Sequence, residues 1–436
     1  ADAPEISDID AGIANEDDTD DVEIDLVAGL GDLLSVDEIT GVESSNTSRT
    51  VLFSLNGSVI TIDPNQFNDL RDSQEETITV TYTVTGGGGP VTNTATFIVT
   101  GANDAPEIAG VEVNPTGLVE QGSGVPGTGV VTGDVSGTWS DVDQGEAALL
   151  AVTQGSAGAD AQSLLAFNAG TGDEAEIIGT YGSLFIKTDG SYRYVLNNAD
   201  ADTQALTDGQ SASDTFNYTI ANGLNAGDSA TSTITVNLTG ADDAPTLGAV
   251  TPGSIAEDDQ ASTTTDSGLT GTLAGGDVDG DTPVYGIQGG TAGTGDEVEL
   301  AGTYGTLKVN TVTGAYEYVK DDAAIEALDE GDTPTDSFTM TVSDGDGPLV
   351  TQTYNVNLTG ANDAPVAADD DIVIAGGGPV TSLVFFPLFN DTDVDNNDTL
   401  TISAIAGLAI VAGQTVTLAD GADVTLNSDG SLTYTP

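Results

Sequence analysis

Alternating acidic residues recur in this sequence at three places, where they are suited to binding a cation. The segments are Asp141-Val-Asp143, Asp277-Val-Asp279-Gly-Asp281 and Asp391-Thr-Asp393-Val-Asp395. Alternate side chains of an extended or turning segment can converge on one point, where carboxylates ~4 Å apart repel by about 1 kcal/mol in water and about 4 kcal/mol at an effective dielectric of 20. Three converging carboxylates therefore need a cation. Glu146 or a backbone carbonyl has to complete the first set, and Asp398 follows the third.

Calcium is the ion that we expect at these acidic segments. It takes 6–8 oxygen ligands, accepts carboxylates and carbonyls together and tolerates irregular geometry. Magnesium prefers strict octahedra and keeps its water, so it is the second choice. Alternatively, the acids only keep the chain soluble and prevent association. Recurrence of the segments in successive repeats favours metal binding over that alternative.

A short phrase that recurs along the chain offers further oxygen ligands. It begins as Asp2-Ala-Pro4 and returns as Gly101–Pro106, Gly240–Pro245 and Gly360–Pro365, which we name the first, second and third junctions. Each junction contains a pair of side-chain oxygen donors, namely Asn103-Asp104, Asp242-Asp243 and Asn362-Asp363. Acids also follow each phrase, as Glu16-Asp17, Glu120, Glu257 and Asp369-Asp370.

The spacing of the phrase predicts a tandem array of four domains. The intervals between its copies are domain-sized, so each copy marks a boundary. The predicted domains are 1–104, 105–243, 244–363 and 364–436, the fourth shorter than the others and therefore expected to be truncated. We use these ranges below as the names of the first to fourth domains. Proline restricts its own φ and its predecessor, so short and stiff linkers are expected.

The elements that must position these acids are β-strands. Apolar residues alternate with Thr or Asn before each junction, a pattern typical of strands with one buried face. Asp189-Gly190 and Asp429-Gly430 predict hairpin turns, as does Asn56-Gly57 in the first domain, while only Ala323–Leu328 suggests a helical turn. We therefore predict an all-β fold, a string of antiparallel Ig-like or cadherin-like β-sandwiches forming an extended rod.

The composition excludes several classes of function. The 436 residues include 71 acids, 6 bases, no histidine and no cysteine, for a formal net charge of −65. Disulfides, thiol nucleophiles and His-based catalytic or metal sites are therefore excluded. A nucleic-acid partner is not expected, because six bases cannot neutralise a phosphate backbone. The longest apolar stretch, near Leu383–Phe389, is too short to span a membrane.

The second and third domains share a signature that resembles the VCBS repeat of bacterial surface proteins, including long RTX-type adhesins. It consists of Gly179-Thr-Tyr-Gly-Ser-Leu, Asp189-Gly-Ser-Tyr-Arg-Tyr and Asp214-Thr-Phe, repeated from Gly302-Thr-Tyr-Gly-Thr-Leu through Asp336-Ser-Phe. The fourth domain resembles bacterial cadherin-like modules through Asn390-Asp-Thr-Asp-Val-Asp and Gly430-Ser-Leu-Thr-Tyr. The first domain resembles this group only in its start, hairpin and closing strand.

This resemblance implies calcium-stiffened extender domains on the bacterial cell surface, secreted and monomeric, that hold a distal adhesive domain away from the cell. Their partners would be neighbouring repeats and, through other domains, glycan, host or surface ligands. Cadherin-type architecture further implies that a linker pair, an acid on the first strand and an Asp-x-Asp segment share interdomain calcium. By that resemblance we group Asn103, Asp104, Glu120, Asp141 and Asp143, and their third-domain counterparts.

Other interpretations of single residues and of the whole chain stay open. Asp189, Asp344, Asp346 and Asp429 each precede glycine and are expected to be turn formers only. In each pair of hairpin tyrosines we expect one ring in the core and one at the surface. An enzyme is not expected, because a catalytic acid pair is needed once and these pairs recur. The alternatives are a glycan- or protein-binding domain within the array, or an accessory region of a secreted hydrolase.

Overall fold

A computed structural model describes residues 7–28, 34–160, 163–167, 173–373, 381–395 and 397–436. The described chain is built from short β-strands with two one-turn α-helices, which confirms the predicted all-β fold. It divides into two compact units, Ala1–Ala241 and Asp242–Pro436, which we describe separately. The phrase Asp2-Ala-Pro4 lies outside the described residues.

The first domain is a sandwich of two sheets in the first unit. One sheet has the order β1-β7-β6-β3 and the other β2-β5-β4, and a 3₁₀ turn at Pro64–Phe67 follows β5. Ile24 and Ile60 of the small sheet share one core with Ile78 and Phe97 of the large sheet. The strands are β1 (Ile9–Asn15), β2 (Val22–Asp25), β3 (Ser35–Ser44), β4 (Ser54–Asn56), β5 (Val59–Ile62), β6 (Glu75–Gly86) and β7 (Gly89–Thr100).

The second domain also packs two sheets around one core, which includes Leu184, Tyr194, Phe216 and Val236. The sheet orders are β10-β16-β15-β14 and β13-β12-β17-β18-β9, with a small β11-β8 pair. Its elements are β8 (Glu107–Ile108), β9 (Glu112–Val119), β10 (Val130–Asp134), β11 (Trp139–Ser140), β12 (Ala151–Ala157), β13 (Ser163–Leu164), β14 (Glu174–Ile178), β15 (Gly182–Lys187), β16 (Ser191–Leu196), α1 (Ala201–Gln204), β17 (Ser211–Ala221) and β18 (Ala230–Thr239), with 3₁₀ turns at Ser136–Thr138 and Ala147–Leu149.

The third domain, in the second unit, repeats this architecture. Its sheets have the orders β21-β20-β30-β29-β24 and β22-β28-β27-β26-β25, with a small β19-β23 pair. Its elements are β19 (Thr246–Leu247), β20 (Gly253–Asp258), β21 (Ala261–Ser267), β22 (Thr270–Thr272), β23 (Gly275–Gly276), β24 (Val284–Ile287), β25 (Thr291–Ala292), β26 (Glu297–Ala301), β27 (Gly305–Asn310), β28 (Ala315–Lys320), α2 (Asp322–Ile325), β29 (Thr335–Ser343) and β30 (Val350–Thr359).

The fourth domain is smaller, with one sheet of order β31-β36-β35-β34 and the pair β32-β33. A separate small core contains Ile410, Val424, Leu426 and Leu432. Its strands are β31 (Leu383–Phe385), β32 (Ala404–Ile405), β33 (Leu408–Ala409), β34 (Thr415–Thr417), β35 (Asp423–Leu426) and β36 (Leu432–Thr435).

The predicted hairpins are present where the turn residues placed them. Asn56-Gly57 joins β4 to β5, Asp189-Gly190 joins β15 to β16, and Asp429-Gly430 joins β35 to β36. Gly57, Gly190 and Gly430 all have positive φ, the conformation for which glycine is favoured. The period-two pattern is confirmed as well, since Ile234, Val236 and Leu238 are all buried.

Two expectations differ from the structure. The sheets are antiparallel except that β1, β9 and β20 each pair in parallel with the closing strand of the same domain, β7, β18 and β30. The prediction of one surface tyrosine in each hairpin was wrong, because Tyr192 and Tyr194 are both buried, as are Tyr316 and Tyr318. Residues two apart on a strand point to the same face.

No helix among the described residues is long and apolar enough to cross a bilayer.

Candidate metal centres at the domain ends

The linker backbone contacts an aspartate of the following acidic segment at all three junctions. Asp104 N–H donates to Asp143 Oδ2 at 3.1 Å, Asp243 N–H to Asp279 Oδ2 at 2.7 Å, and Asp363 N–H to Asp395 Oδ2 at 2.9 Å. The sequence analysis had grouped the linker acids with the acidic segments of the second and third domains and had made no such grouping for Asp395. The structure brings each pair into direct contact, so each junction is tied to the domain that it opens.

The acidic segments turn in the same way in each domain. Asp143 N–H donates to Asp141 Oδ1, Asp279 N–H to Asp277 Oδ1, and Asp395 N–H to Asp393 Oδ1, at 3.1, 2.8 and 3.2 Å. An aspartate that accepts the N–H two residues further on forms an Asx turn. This turn uses one oxygen of the first aspartate and leaves its second oxygen for another partner.

An acid at the end of the first strand contacts the alanine of the junction that closes its own domain. Glu16 accepts the Ala102 N–H at 2.7 Å, and Glu257 accepts the Ala361 N–H at 3.1 Å. Glu120 accepts the Ala241 N–H at 3.4 Å. The proposed grouping of Glu120 with Asp141 and Asp143 is therefore not what the structure shows, because Glu16 reaches the first junction instead. The parallel pairing of first and closing strands puts these two strand ends side by side.

Several buried carboxylate oxygens at these positions accept no hydrogen bond. Within the described residues they number ten, and all belong to the acidic segments, the junctions, the first-strand acids or two nearby loops. They are Asp141 Oδ2, Asp143 Oδ1, Asp228 Oδ1, Asp243 Oδ2, Glu257 Oε1, Asp277 Oδ2, Asp279 Oδ1, Asp344 Oδ2, Asp363 Oδ2 and Asp395 Oδ1. Buried polar atoms are normally hydrogen-bonded, so these oxygens are the ones that a bound partner would contact.

Burial and mutual repulsion raise the pKa values of these acids. Burial raises the pKa of Glu16 to about 7, although the N–H groups of Ala102 and Leu70 lower it. Burial likewise raises the pKa of Glu257 to about 7. The pKa of Asp143 rises to about 6, through burial first and then through the charges of Glu146, Asp141 and Asp104. These groups ionise at neutral pH only at a cost, which a bound cation would remove.

Among the residues that the structure describes, four groups of acids have carboxylate oxygens within 4.8 Å of one another. They are Asp141, Asp143 and Glu146; Asp242, Asp279 and Asp281; Glu257, Glu326 and Asp363; and Asp393, Asp395 and Asp398. Most of these residues were singled out from the sequence. Asp369 and Asp370 are exposed and Asp17 is exposed beside Glu16, and none of the three belongs to a group.

The remaining predicted residues lie beside these groups. Asp391 accepts the Ala368 N–H at 2.7 Å, outside the four groups. The amide nitrogens of Asn103 and Asn362 donate to the carbonyls of Asp104 and Asp363, at 3.0 and 2.6 Å. In both asparagines the amide nitrogen therefore faces the linker carbonyl, and the amide oxygen points to the other side.

Three acids of the site were missed by the sequence analysis. Asp228 is 5% exposed in the loop before β18, where the Asn222 amide joins it to Glu146 at 2.7 and 2.6 Å. Glu326 follows α2. Asp344 was expected to be only a turn former; it does accept the Asp346 N–H, but its other oxygen is buried without a hydrogen bond. Asp228 is not part of a recognisable motif. The signal that could have indicated it is that an aspartate also precedes the closing strand of the third domain, at Asp344.

The residues present fit a hard divalent cation. All the donors are oxygen atoms, from carboxylates, Asn amides and linker carbonyls, which is the ligand set that calcium prefers. The buried oxygens without hydrogen bonds are the atoms that such an ion would contact. Asp189 and Asp429, in contrast, accept the backbone N–H and hydroxyl of Ser191 and Ser431 and act as turn formers.

The comparison with protein families concerns the fourth domain. Residues 362–436 match the bacterial Ig domain family. This range begins inside the third junction and runs to Pro436, so the matched domain starts at the phrase that the sequence analysis used as a boundary. No curated protein sequence matches the chain.

Solved structures with similar folds are cadherin ectodomains. Extracellular domains 1–5 of protocadherin gamma B2 align with a TM-score of 0.42 and 12% identity, over 84% of this chain and 61% of theirs. Mouse cadherin-23 EC22–24 aligns with a TM-score of 0.37 and 14% identity over 82% and 97%. The human desmocollin-1 ectodomain gives 0.28 and 14% over 100% and 73%. The chain thus spans less than two thirds of the protocadherin gamma B2 structure.

Proposed function

We propose that this array of Ig-like domains is a calcium-stiffened spacer of a secreted bacterial surface adhesin, which projects a distal ligand-binding domain for adhesion or biofilm formation. The observation that supports it most is the recurrence at each junction of the same linker contact to an Asp-x-Asp segment, with buried carboxylate oxygens that accept no hydrogen bond. A binding pocket or a catalytic pair is needed once in a protein, whereas a linker has to be held in place between every two consecutive domains. A contact that recurs at each junction therefore fits the second role.

Calcium would stiffen a junction because its ligands come from both sides. At the first junction these would be Glu16 of the first domain, Asp104 of the linker and Asp143 of the second domain. At the third junction they would be Glu257, Asp363 and Asp395. Bending such a junction would separate the ion from part of its ligands. Without the ion, the same carboxylates repel one another and favour open, mobile arrangements.

The stabilisation expected from one site is modest. Extracellular calcium modules bind the ion with dissociation constants of about 0.1–1 mM. At ten times the dissociation constant, one site adds about 1.4 kcal/mol to the free energy of unfolding. Several sites along the array would together decide between a stiff and a flexible chain. Low calcium before export would leave the domains loose, and they would become rigid outside the cell.

The proposal is tested by small-angle scattering and thermal unfolding of the full chain, with calcium and with excess chelator. We expect chelation to shorten the maximum dimension and to lower the melting temperature. Asp143→Asn and Asp395→Asn keep an acceptor for the linker N–H but remove a ligand charge, so we expect calcium affinity to fall about tenfold at the altered junction. Asp160→Asn, at an exposed acid outside the four groups, is the matched control.

Identical scattering and melting curves with and without chelator would refute a calcium-dependent spacer. Equal losses of affinity in Asp143→Asn and the Asp160→Asn control would assign the effect to general charge rather than to these sites.

A further inference from the structure

One position near the closing junction of each of the first three domains carries an amide in two domains and a carboxylate in the third. It ends or directly follows a helical turn and stands two residues before a buried leucine. The residues at this position are Asn68, Gln204 and Glu326, and the leucines are Leu70, Leu206 and Leu328. Each leucine lies against the glycine that opens the domain's closing junction, Gly101, Gly240 or Gly360, which shows that the three positions are equivalent.

In the first two domains this position holds an amide that donates a hydrogen bond to an acid, which is a junction acid in the first domain and the first-strand acid in the second. Asn68 Nδ2 donates to Asp104 Oδ2 at 2.9 Å. Gln204 Nε2 donates to Glu120 Oε1 at 3.4 Å. Beside Asn68, both oxygens of Glu16 are occupied, by Ala102 N–H at 2.7 Å and Leu70 N–H at 3.1 Å. Three oxygens of Glu16 and Asp104 at the first domain's closing end thus each accept a protein N–H group, which leaves them less available to a second cation.

In the third domain the same position holds a third carboxylate. Oxygens of Glu326, Glu257 and Asp363 lie within 4.8 Å of one another. Glu257 and Asp363 are only 8% and 6% exposed, and Glu257 Oε1 and Asp363 Oδ2 accept no hydrogen bond. Glu326 contributes to the raised pKa of both neighbours, after burial in each case. No described protein group therefore neutralises this cluster.

We infer that the third junction binds one more divalent cation than the first, and that Glu326 is the residue that creates the additional site. This inference rests on the proposed calcium-binding function and extends it. Exchanging a carboxylate for an amide removes one negative charge and introduces N–H donors that repel a cation. At the first junction the Asn68 amide takes the place that the additional ion takes at the third. The junctions are consequently unequal, with the third the more strongly held at a given calcium concentration.

The test counts calcium ions bound per full chain, by calorimetric titration and native mass spectrometry. Glu326→Gln places a glutamine where the second domain has one, and we expect it to bind one ion fewer than the unaltered chain. Asn68→Asp is the reciprocal isosteric change, and we expect it to bind one ion more. Asp332→Asn, at an exposed acid near Glu326, is the matched control and should leave the number unchanged.

An unchanged count in both Glu326→Gln and Asn68→Asp would overturn the inference while leaving calcium binding itself intact. Failure of the unaltered chain to bind any calcium would instead overturn the proposed function, and the inference with it. Because the two variants change the count in opposite directions, loss of folding in one of them cannot imitate the expected result.

Discussion

The buried acids of the junctions differ from the many exposed acids in what their ionisation costs. An exposed carboxylate is solvated and interacts with its neighbours through water. Glu16 and Asp143 are 0% and 1% exposed, and each faces other carboxylates. Their negative charge has to be balanced by a proton or by a metal ion. The chain supplies only six basic residues, so it offers few internal cations for the purpose.

Stability of the metal-free protein is expected to depend on pH through these acids. Glu16 and Glu257 have pKa values raised from 4.5 to about 7, so between these values the folded state holds protons that the unfolded state has released. The free energy of unfolding of the metal-free protein should therefore be highest near the unfolded pKa and should fall as the pH rises toward 7.

Melting temperatures in chelator at about pH 5.5 and about pH 7.5 check this sign. In saturating calcium the trend should reverse, because protons compete with the ion for the same oxygens. A Glu16→Gln, Glu257→Gln double variant should have a flatter profile in chelator. The same trend with and without calcium would contradict the assignment of the pH dependence to the ion-binding acids.

Within the second and third domains, one buried aspartate organises the hairpin that carries the repeated signature. Asp336 accepts the N–H groups of Thr303 and Tyr304 at 2.9 and 3.0 Å and the Tyr318 hydroxyl at 2.6 Å. Asp214 makes the same three contacts in the second domain. A Cβ atom at Gly302 would overlap the Asp336 carboxylate, which explains the glycine of the Gly-Thr-Tyr-Gly segment. The signature thus describes a connection between the hairpin and the strand that carries the buried aspartate.

Asp336→Asn is expected to destabilise the third domain strongly. The amide nitrogen would face donors, and each buried donor left without an acceptor costs about 1–3 kcal/mol. Tyr318→Phe removes only the hydroxyl contact, so its effect should be smaller, about 0.5–1.5 kcal/mol. Chemical unfolding in saturating calcium measures both free energies of unfolding. If the two variants lose equal stability, the backbone contacts of Asp336 contribute nothing.

Asp332→Asn is a suitable control here too, because it removes an acid from the same domain at an exposed position. Neither Asp336 nor Tyr318 belongs to one of the four groups of acids. Calcium affinity should therefore be unchanged in the Asp336→Asn and Tyr318→Phe variants, as long as they fold.

The junction phrase also has a packing role within each domain. A Cβ at Gly101, Gly240 or Gly360 would overlap the backbone carbonyl that follows the buried leucine at the base of the domain. Only glycine allows the closing strand to pass so near this turn. The phrase therefore combines two requirements, close backbone packing at its glycine and oxygen donors at its acid pair.

For the chain as a whole, the net charge of −65 opposes compact folding in the absence of divalent ions. Screening reduces this repulsion, since the Debye length falls from about 10 Å at 0.1 M salt to about 3 Å at 1 M. We expect sodium chloride to raise the melting temperature of the chelated protein, because it weakens repulsion between exposed acids. The buried junction clusters are screened much less.

Sodium chloride should therefore not restore the maximum dimension that calcium gives in solution scattering. Magnesium at the same concentration as calcium is the control for divalent charge, and we expect it to restore the dimension only in part. Full restoration by sodium chloride alone would mean that screening, and not binding at the junctions, governs the extension of the chain.

The direction of the strands suits the first three domains to tandem linkage. In each of the first three domains the first strand runs parallel to the closing strand at its side. Parallel strands begin at one end of a sheet and finish at the other, so the chain enters and leaves a domain at opposite ends. A purely antiparallel neighbour pair would have placed both termini at one end.

Local patterns predicted much of this protein correctly. Alternation of apolar and polar residues, Asx-Gly turns and the repeated phrase depend on neighbours in sequence, so the all-β fold and the hairpins could be anticipated. The same composition excluded disulfides and imidazole ligands, because those need residues that the chain lacks.

Contacts between distant residues could not be inferred in this way. The parallel pairing of the first and closing strands moved Glu120 away from Asp141 and put Glu16 at the first junction. Other contacts between distant residues bring Asp228 to Glu146, through Asn222, and Glu326 to Glu257. Which acids face one another is decided by how the sheets close around the core, where burial removes the water that would otherwise satisfy their oxygens.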